Sequence, residues 1–260
     1  MIWCRFESEG GARYGIVEDE TVVPVEGSPF DGHVAGDERL ALGALRLLAP
    51  VEPRTFFCAG LNYRAHIEHA RARGNLKAQV PEHPEVGYRA NNALIGHGED
   101  IVVPGDVAGP VEAEPEVAAV IGRPLRHATR EQALAGIFGW TIGNDVSARA
   151  WQAADRTFWR AKNCDTFKPM GPWIVTDADP AEATTTTRVN GRNVLSFATG
   201  EMIFDAADFI VAITQYITMA PGDVLWMGAD GTVPIAPGDT VEISVSGIGT
   251  LRNRVVAETQ

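Results

Sequence analysis

The stretch "VEAEPEVAAVIG", residues 111–122, constrains this chain most. Val117 to Ile121 is an unbroken apolar run and reads as a strand buried in a sheet. At its head stand Glu112, Glu114 and Glu116, each two residues from the next. Strand side chains alternate with a period of two, so the three carboxylates line one side. Like charges about 4 Å apart repel by roughly 4 kcal/mol at an effective dielectric of 20. A fold that buries this strand must turn the carboxylates to solvent or bring positive charge to them. Pro115 lacks a ladder donor, which marks a strand's first residue or a bulge, the kind of place that re-aims side chains. The stretch "IFGWTIGNDVSAR", 137–149, repeats the theme with an apolar strand that ends in Asn144-Asp145. A third carboxylate at a strand end could meet the glutamates. Carboxylates without histidine or thiolate suit a hard dication such as Mg²⁺ or Mn²⁺, which would turn repulsion into attraction.

The rest of the chain reads as strand-rich. "IWCRF", "ARYGIVED" and "TVVPV" are strand-like and form a small N-terminal module over 1–50, closed by a short helix in "ERLALGALRLLAP". The main body, 51–260, starts with a strand in "RTFFCAG" and a helix in "YRAHIEHARARG" ended by Gly74. Residues 74–91 are polar and broken by prolines, a pattern that predicts a long loop of the kind that closes over sites. Thr129 with Gln132 forms a capping-box pattern, and Asp205 caps a helix whose apolar face is Phe209, Ile210, Ile213, Tyr216 and Ile217. Asn190-Gly191 predicts a hairpin, and "APGD" at 220–223 and 236–239 predicts two type II turns that feed strands. In the second of these strands Val241, Ile243 and Val245 face inward.

Composition excludes several classes. The 260 residues carry a net charge of -12, which argues against nucleic-acid partners. Cys4, Cys58 and Cys164 lack metal-ligand spacing and fit reduced thiols in a reducing compartment. "MIWCRFESEG" lacks the features of a signal peptide, and no stretch approaches the roughly 20 apolar residues of a membrane helix. The expectation is a cytoplasmic protein without a membrane partner.

Seven blocks, "EPEVAAVIG", "GWTIGNDVSAR", "CDTFKPMGPWIVT", "RVNG", "GEMIFDAADFI", "APGDVLWMG" and "SGIGTLRN", resemble the fumarylacetoacetate hydrolase family, in order, over about residues 54–256. The resemblance implies an α+β, β-rich fold of mixed sheets rolled into a barrel-like sandwich, and a homodimer. It implies a divalent metal, Mg²⁺ or Mn²⁺, held by Glu114, Glu116 and Asp145, with Glu112 left at the surface. Arg149 and Gln152 fall on the substrate positions, Lys162 on the active-site lysine, and His66 on a base carried by a mobile lid. Three positions depart from the pattern. His69 stands where a glutamate follows the histidine by three, and Glu68 is a poor replacement because i and i+2 do not share a helix face. Ala229 lacks a substrate-binding hydroxyl that Thr232 could supply, and Arg89-Ala90 replaces lysine-proline. The implied substrates are small 2-oxo acids. C–C hydrolysis of an acylpyruvate through a metal-stabilised enolate is the first expectation. An isomerase or decarboxylase of a 2-oxo dicarboxylate is the alternative, and a non-catalytic metabolite-binding relative comes last.

Overall fold

The computed structural model describes residues 1–72 and 79–259. Strands dominate, and the α-helices among the described residues are short: α1 (Arg64–Ala72), α2 (Arg130–Leu134), α3 (Arg149–Gln152) and α4 (Ala206–Thr214). This is the β-rich α+β architecture expected. The described residues form three sheets, and the largest is an open path rather than a closed barrel. Its order is Gly32–Ala35, Thr21–Ser28, Gly11–Glu18, Ile2–Ser8, Lys168–Val175, Ile137–Asn144, Pro115–Ile121, Val224–Trp226, Phe56–Ala59 and Val86–Tyr88. The N-terminal strands extend this sheet directly, through the antiparallel pairs Ile2↔Val175 and Trp3↔Ile174. A smaller sheet joins Val111–Ala113 to Ser147–Ala148 and Val233–Ile235, and a third contains the hairpin Thr184–Val189/Arg192–Ala198.

The strand Pro115–Ile121 is buried on both faces, as its apolar run requires. Val117, Ala119 and Ile121 pack into the main core with Ile142, Leu225 and Phe209. Ala118 and Val120 pack into a second core with Trp3, Phe56, Met170 and Trp226. Gly143, on the neighbouring strand, makes room for Trp226: a Cβ there would lie 2.7 Å from the indole ring.

Local signals account for the turns and helix starts. Asn190 and Gly191 both have positive φ, 52° and 76°, as a type I′ hairpin demands. Each "APGD" turn closes on its own aspartate. The Ala220 N–H donates to Asp223 at 2.7 Å, and the Ala236 N–H to Asp239 at 2.8 Å. Thr129/Gln132 and Asp205/Asp208 form capping boxes on α2 and α4. Val241, Ile243 and Val245 are buried and their neighbours are not, as alternation predicts.

Three expectations need correction. "ERLALGALRLLAP" holds no α-helix. Leu40–Ala41 is a strand and Leu42–Ala44 a 3₁₀ turn. The segment instead hydrogen-bonds to the first strand, Glu7 N–H to Arg46 and Leu48 N–H to Arg5, so tertiary pairing outweighs its helix propensity. Tyr216 is 85% exposed because α4 stops at Thr214, before the apolar stripe reaches it. The predicted loop 74–91 contains an edge strand, Val86–Tyr88, that pairs with Phe56–Ala59. Residues 74–78 of it, including Gly74, lie outside the described residues.

Candidate active site

The site begins where one strand becomes two. Val111–Ala113 belongs to the small sheet and Pro115–Ile121 to the large one, and Glu114 is the joint. Pro115 has no N–H for a ladder. The Glu114 N–H donates to Asn144 Oδ1 at 3.1 Å, and the Glu114 carbonyl accepts from the Asp145 N–H at 2.9 Å. Register pairs Pro115 with Asn144, so Asp145 comes to rest beside Glu114. Ligand-capable oxygens of Glu114, Glu116 and Asp145 lie within 4.8 Å of one another, all buried.

Four cations surround these acids unequally. Arg89 grips Asp145 with two bonds, Nε to Oδ1 at 2.9 Å and Nη2 to Oδ2 at 2.7 Å. Lys162 Nζ lies 2.5 Å from Asp145 Oδ2 and 3.2 Å from each oxygen of Glu114. Lys168, wholly buried, lies 2.8 Å from Asp145 Oδ1 and donates to the carbonyls of Val146 and Phe167. Arg149 Nη2 bonds Glu114, its Nε donates to Glu112 at 2.7 Å, and its Nη1 donates to Gln152 at 2.5 Å. Glu116 accepts the backbone N–H of Gly228 at 2.7 Å, and among the described residues no ion pair reaches it.

Titration follows this asymmetry. Burial and the charges of Asp145 and Glu114 push the Glu116 carboxyl up to about 8. Burial acts on Glu114 too, but Lys162 and Arg149 bring it down to about 2. Burial also opposes ionisation of Asp145, yet Arg89, Lys162 and Lys168 hold it well below the usual carboxylate range. Burial lowers the Lys168 ammonium to about 8 despite its partner Asp145. The three-carboxylate donor set, without thiolate or imidazole, fits a hard divalent cation.

The other expected residues gather around this centre in different degrees. His66 lies on α1, half-buried, with Nδ1 2.9 Å from the Ala229 carbonyl oxygen, and its charge is felt at Glu114. A carbonyl only accepts, so Nδ1 carries a hydrogen, and in the neutral ring Nε2 is the nitrogen that can accept a proton. His69 is exposed one turn on. Arg149 and Gln152 sit at the two ends of α3 and bond each other. Thr232 lines an open groove with Asn190, Arg192 and Val194, next to Val233, which pairs with Ala113.

Glu112 does not sit at the surface. It is 3% exposed and bound by Arg149. The period-two argument places it on the side of Glu114, and a buried carboxylate there takes the nearest guanidinium. Arg149 accordingly pairs with Glu112 and Glu114, while Asp155 is held by Arg160. Lys168 and the grip of Arg89 on Asp145 escaped the sequence reading. The signal for Lys168 was weak: it is the first residue of the apolar strand "KPMGPWIV", where a lysine is as readily exposed as buried.

Comparison with known proteins bears on this arrangement. A sequence profile described as fumarylacetoacetate (FAA) hydrolase C-terminal matches residues 55–256. The chain belongs to the fumarylacetoacetate hydrolase family. A second profile, Rv2993c-like N-terminal, matches residues 1–50. Among members of the family, Protein Rv2993c of Mycobacterium tuberculosis is 38% identical over 97% of both chains. The mitochondrial oxaloacetate tautomerase Fahd2a of Rattus norvegicus is 34% identical over 80% of this chain and 69% of its own. The crystal structure of a 5-carboxymethyl-2-hydroxymuconate delta-isomerase from Mycobacterium smegmatis is 37% identical. It covers 99% of this chain and 100% of its own, with a TM-score of 0.89.

Proposed function

We propose that this member of the fumarylacetoacetate hydrolase family moves a proton between carbon and oxygen in a small 2-oxo dicarboxylate, as a tautomerase or isomerase. The observation that carries the reading is His66 held through Nδ1 by the Ala229 carbonyl, on the same segment whose Gly228 N–H holds Glu116 of the buried carboxylate triad. Similarity to a protein named oxaloacetate tautomerase and to one named hydroxymuconate delta-isomerase supports it. These relatives favour the alternative reading of the sequence over C–C hydrolysis. Hydrolysis needs an activated water as well, and the family glutamate assigned to that task is replaced by His69.

A divalent cation, Mg²⁺ or Mn²⁺, held by Glu114, Glu116 and Asp145 supplies Lewis acidity when bound. The chain's own residues do the rest. His66 Nε2 takes a proton from the carbon beside the oxo group, and the resulting imidazolium returns a proton to the enolate oxygen, so the enzyme ends with its own protons unchanged. Lys162 offers an ammonium to the charge that develops on oxygen. Arg149 has five N–H donors and uses one on each of Glu112, Glu114 and Gln152, which leaves two for a substrate carboxylate. Gln152 steadies Arg149, and Thr232 offers a hydroxyl at the groove.

The test is a substrate panel. Oxaloacetate tautomerisation, followed by the absorbance of the enol with Mg²⁺ or Mn²⁺ present, is expected to accelerate and to lose that acceleration in His66→Gln. Release of pyruvate from an acylpyruvate, with no effect on oxaloacetate, would overturn the proposal.

A further inference from the structure

The segment Met227–Thr232 is a strap that runs from the triad to helix α1. The Gly228 N–H holds Glu116, the Ala229 carbonyl holds His66, and the Met227 carbonyl accepts from Asn62 at 2.9 Å just before α1. At Gly231 the strap passes close to His69, since a Cβ there would lie 4.0 Å from its Nδ1. His66 and His69 are three residues apart and share one helix face. Asp230 is the strap residue between Ala229 and Gly231, half-buried and flanked by the segments that touch the two imidazoles.

We propose that Asp230 is a positioning residue for the base, its carboxylate set against the His66–His69 face and supplying from the strap the negative charge that α1 lacks at position 69. The inference rests on the reading of His66 as the proton acceptor. Charges at Asp230 behave accordingly. Burial raises its carboxyl, Glu201 adds to the rise, and His69 and then His66 oppose it. The groups that face this cluster are His66 and His69 from α1, Tyr63 before it, Glu201 from the loop after Arg192–Ala198, and Glu114 from the triad. When His66 takes a proton it becomes an imidazolium, and a neighbouring carboxylate stabilises that charge without itself being consumed. The strap ties this charge to the same backbone that holds Glu116.

Imidazole titration in the full-length protein, read by the C2–H signals in proton NMR, decides the matter. Signals are assigned with His66→Gln and His69→Gln. Asp230→Asn is expected to lower the midpoints of both histidines by about half a pH unit, because a half-exposed carboxylate acts through partial screening. Asp230→Glu is expected to restore them. Asp230→Ser repeats the measurement should the amide variant fail to fold. On oxaloacetate, Asp230→Asn is expected to lower kcat about tenfold with KM unchanged and to move the acid limb of the kcat profile to lower pH. An unmoved His66 midpoint in both uncharged variants would overturn the inference. If the wild-type protein leaves oxaloacetate untouched, the functional reading falls, and the midpoints still decide the role of Asp230.

Discussion

Replacing Glu116 by glutamine isolates the one carboxylate of the triad that, among the described residues, no ion pair reaches. Its neighbours' ligand-capable oxygens lie within 4.8 Å. Two unit charges at that spacing repel by about 3.5 kcal/mol at an effective dielectric of 20. With burial, this pushes the Glu116 carboxyl from 4.5 up to about 8. The displacement is worth about 5 kcal/mol, an order-of-magnitude value. Between the two values the folded protein holds this proton and the unfolded chain does not. Stability contributed by Glu116 is therefore fully present below the lower value and is lost as pH rises through the upper one. A divalent cation among the three carboxylates offsets the same repulsion, so its stabilising effect grows across the same window.

Thermal unfolding at about pH 5 and about pH 9, with and without Mn²⁺, reads this directly. The wild-type Tm is expected to fall with pH by about 10 °C from this group alone, since 1 kcal/mol corresponds to about 2–4 °C at this chain length. Mn²⁺ is expected to restore most of the loss at high pH and little at low pH. Lys168, lowered to about 8 by burial, acts in the opposite sense above that value, so variants are compared at equal pH. In Glu116→Gln both the pH-dependent loss and the Mn²⁺ effect should nearly vanish. A variant that keeps the full Mn²⁺-dependent rise in Tm would refute the assignment of Glu116 to the ion.

Arg149→Met strips the guanidinium from two buried carboxylates, Glu112 and Glu114, and should cost about 3 kcal/mol in the urea midpoint. Arg149→Lys should recover only part of it, because one ammonium cannot span both acids. Gly143→Ala drives a methyl to 2.7 Å from the Trp226 ring and should cost about 1–3 kcal/mol, with the m-value unchanged. Asp223→Ala leaves the Thr55 and Ala220 N–H groups without their acceptor and should cost about 1–3 kcal/mol by the same measurement.

What the sequence discloses is what depends on neighbours along the chain. The capping boxes of α2 and α4, the Asn190-Gly191 hairpin and the alternation in Thr240–Val245 are local, and each is readable within a few residues. Glu114 and Glu116 are equally visible, because Pro115 marks the start of a new strand just after the break at Glu114. The cations are not. Arg89 reaches Asp145 across 56 residues of chain, and Arg149 reaches Glu112 across 37. Such pairs depend on strand order, which periodicity does not encode. The helix expected at 38–50 fails for the same cause, since its leucine pattern is helical but its hydrogen bonds go to the strands Ile2–Ser8 and Thr21–Ser28 and to Glu20.

The uneven placement of charge explains how the fold tolerates a carboxylate cluster in its core. Four acids, Glu112, Glu114, Glu116 and Asp145, meet four bases, Arg89, Arg149, Lys162 and Lys168, yet the bases crowd onto Asp145 and Glu114. Were ion pairing the only means of neutralisation, a buried Glu116 would have a cation too; burial and its acidic neighbours make it hold a proton up to about 8. It has the amide of Gly228 instead, a donor that fixes the carboxylate's direction but adds no full charge. The strand break at Glu114 produces this split. Segments that follow Asn144 bring Arg149, Lys162 and Lys168 to one side, while Glu116 faces the start of the strap after Val224–Trp226. An incoming dication therefore changes the energy of Glu116 most. The strap that orients Glu116 also holds His66, so one carboxylate of the triad and the proposed base are set by one stretch of backbone.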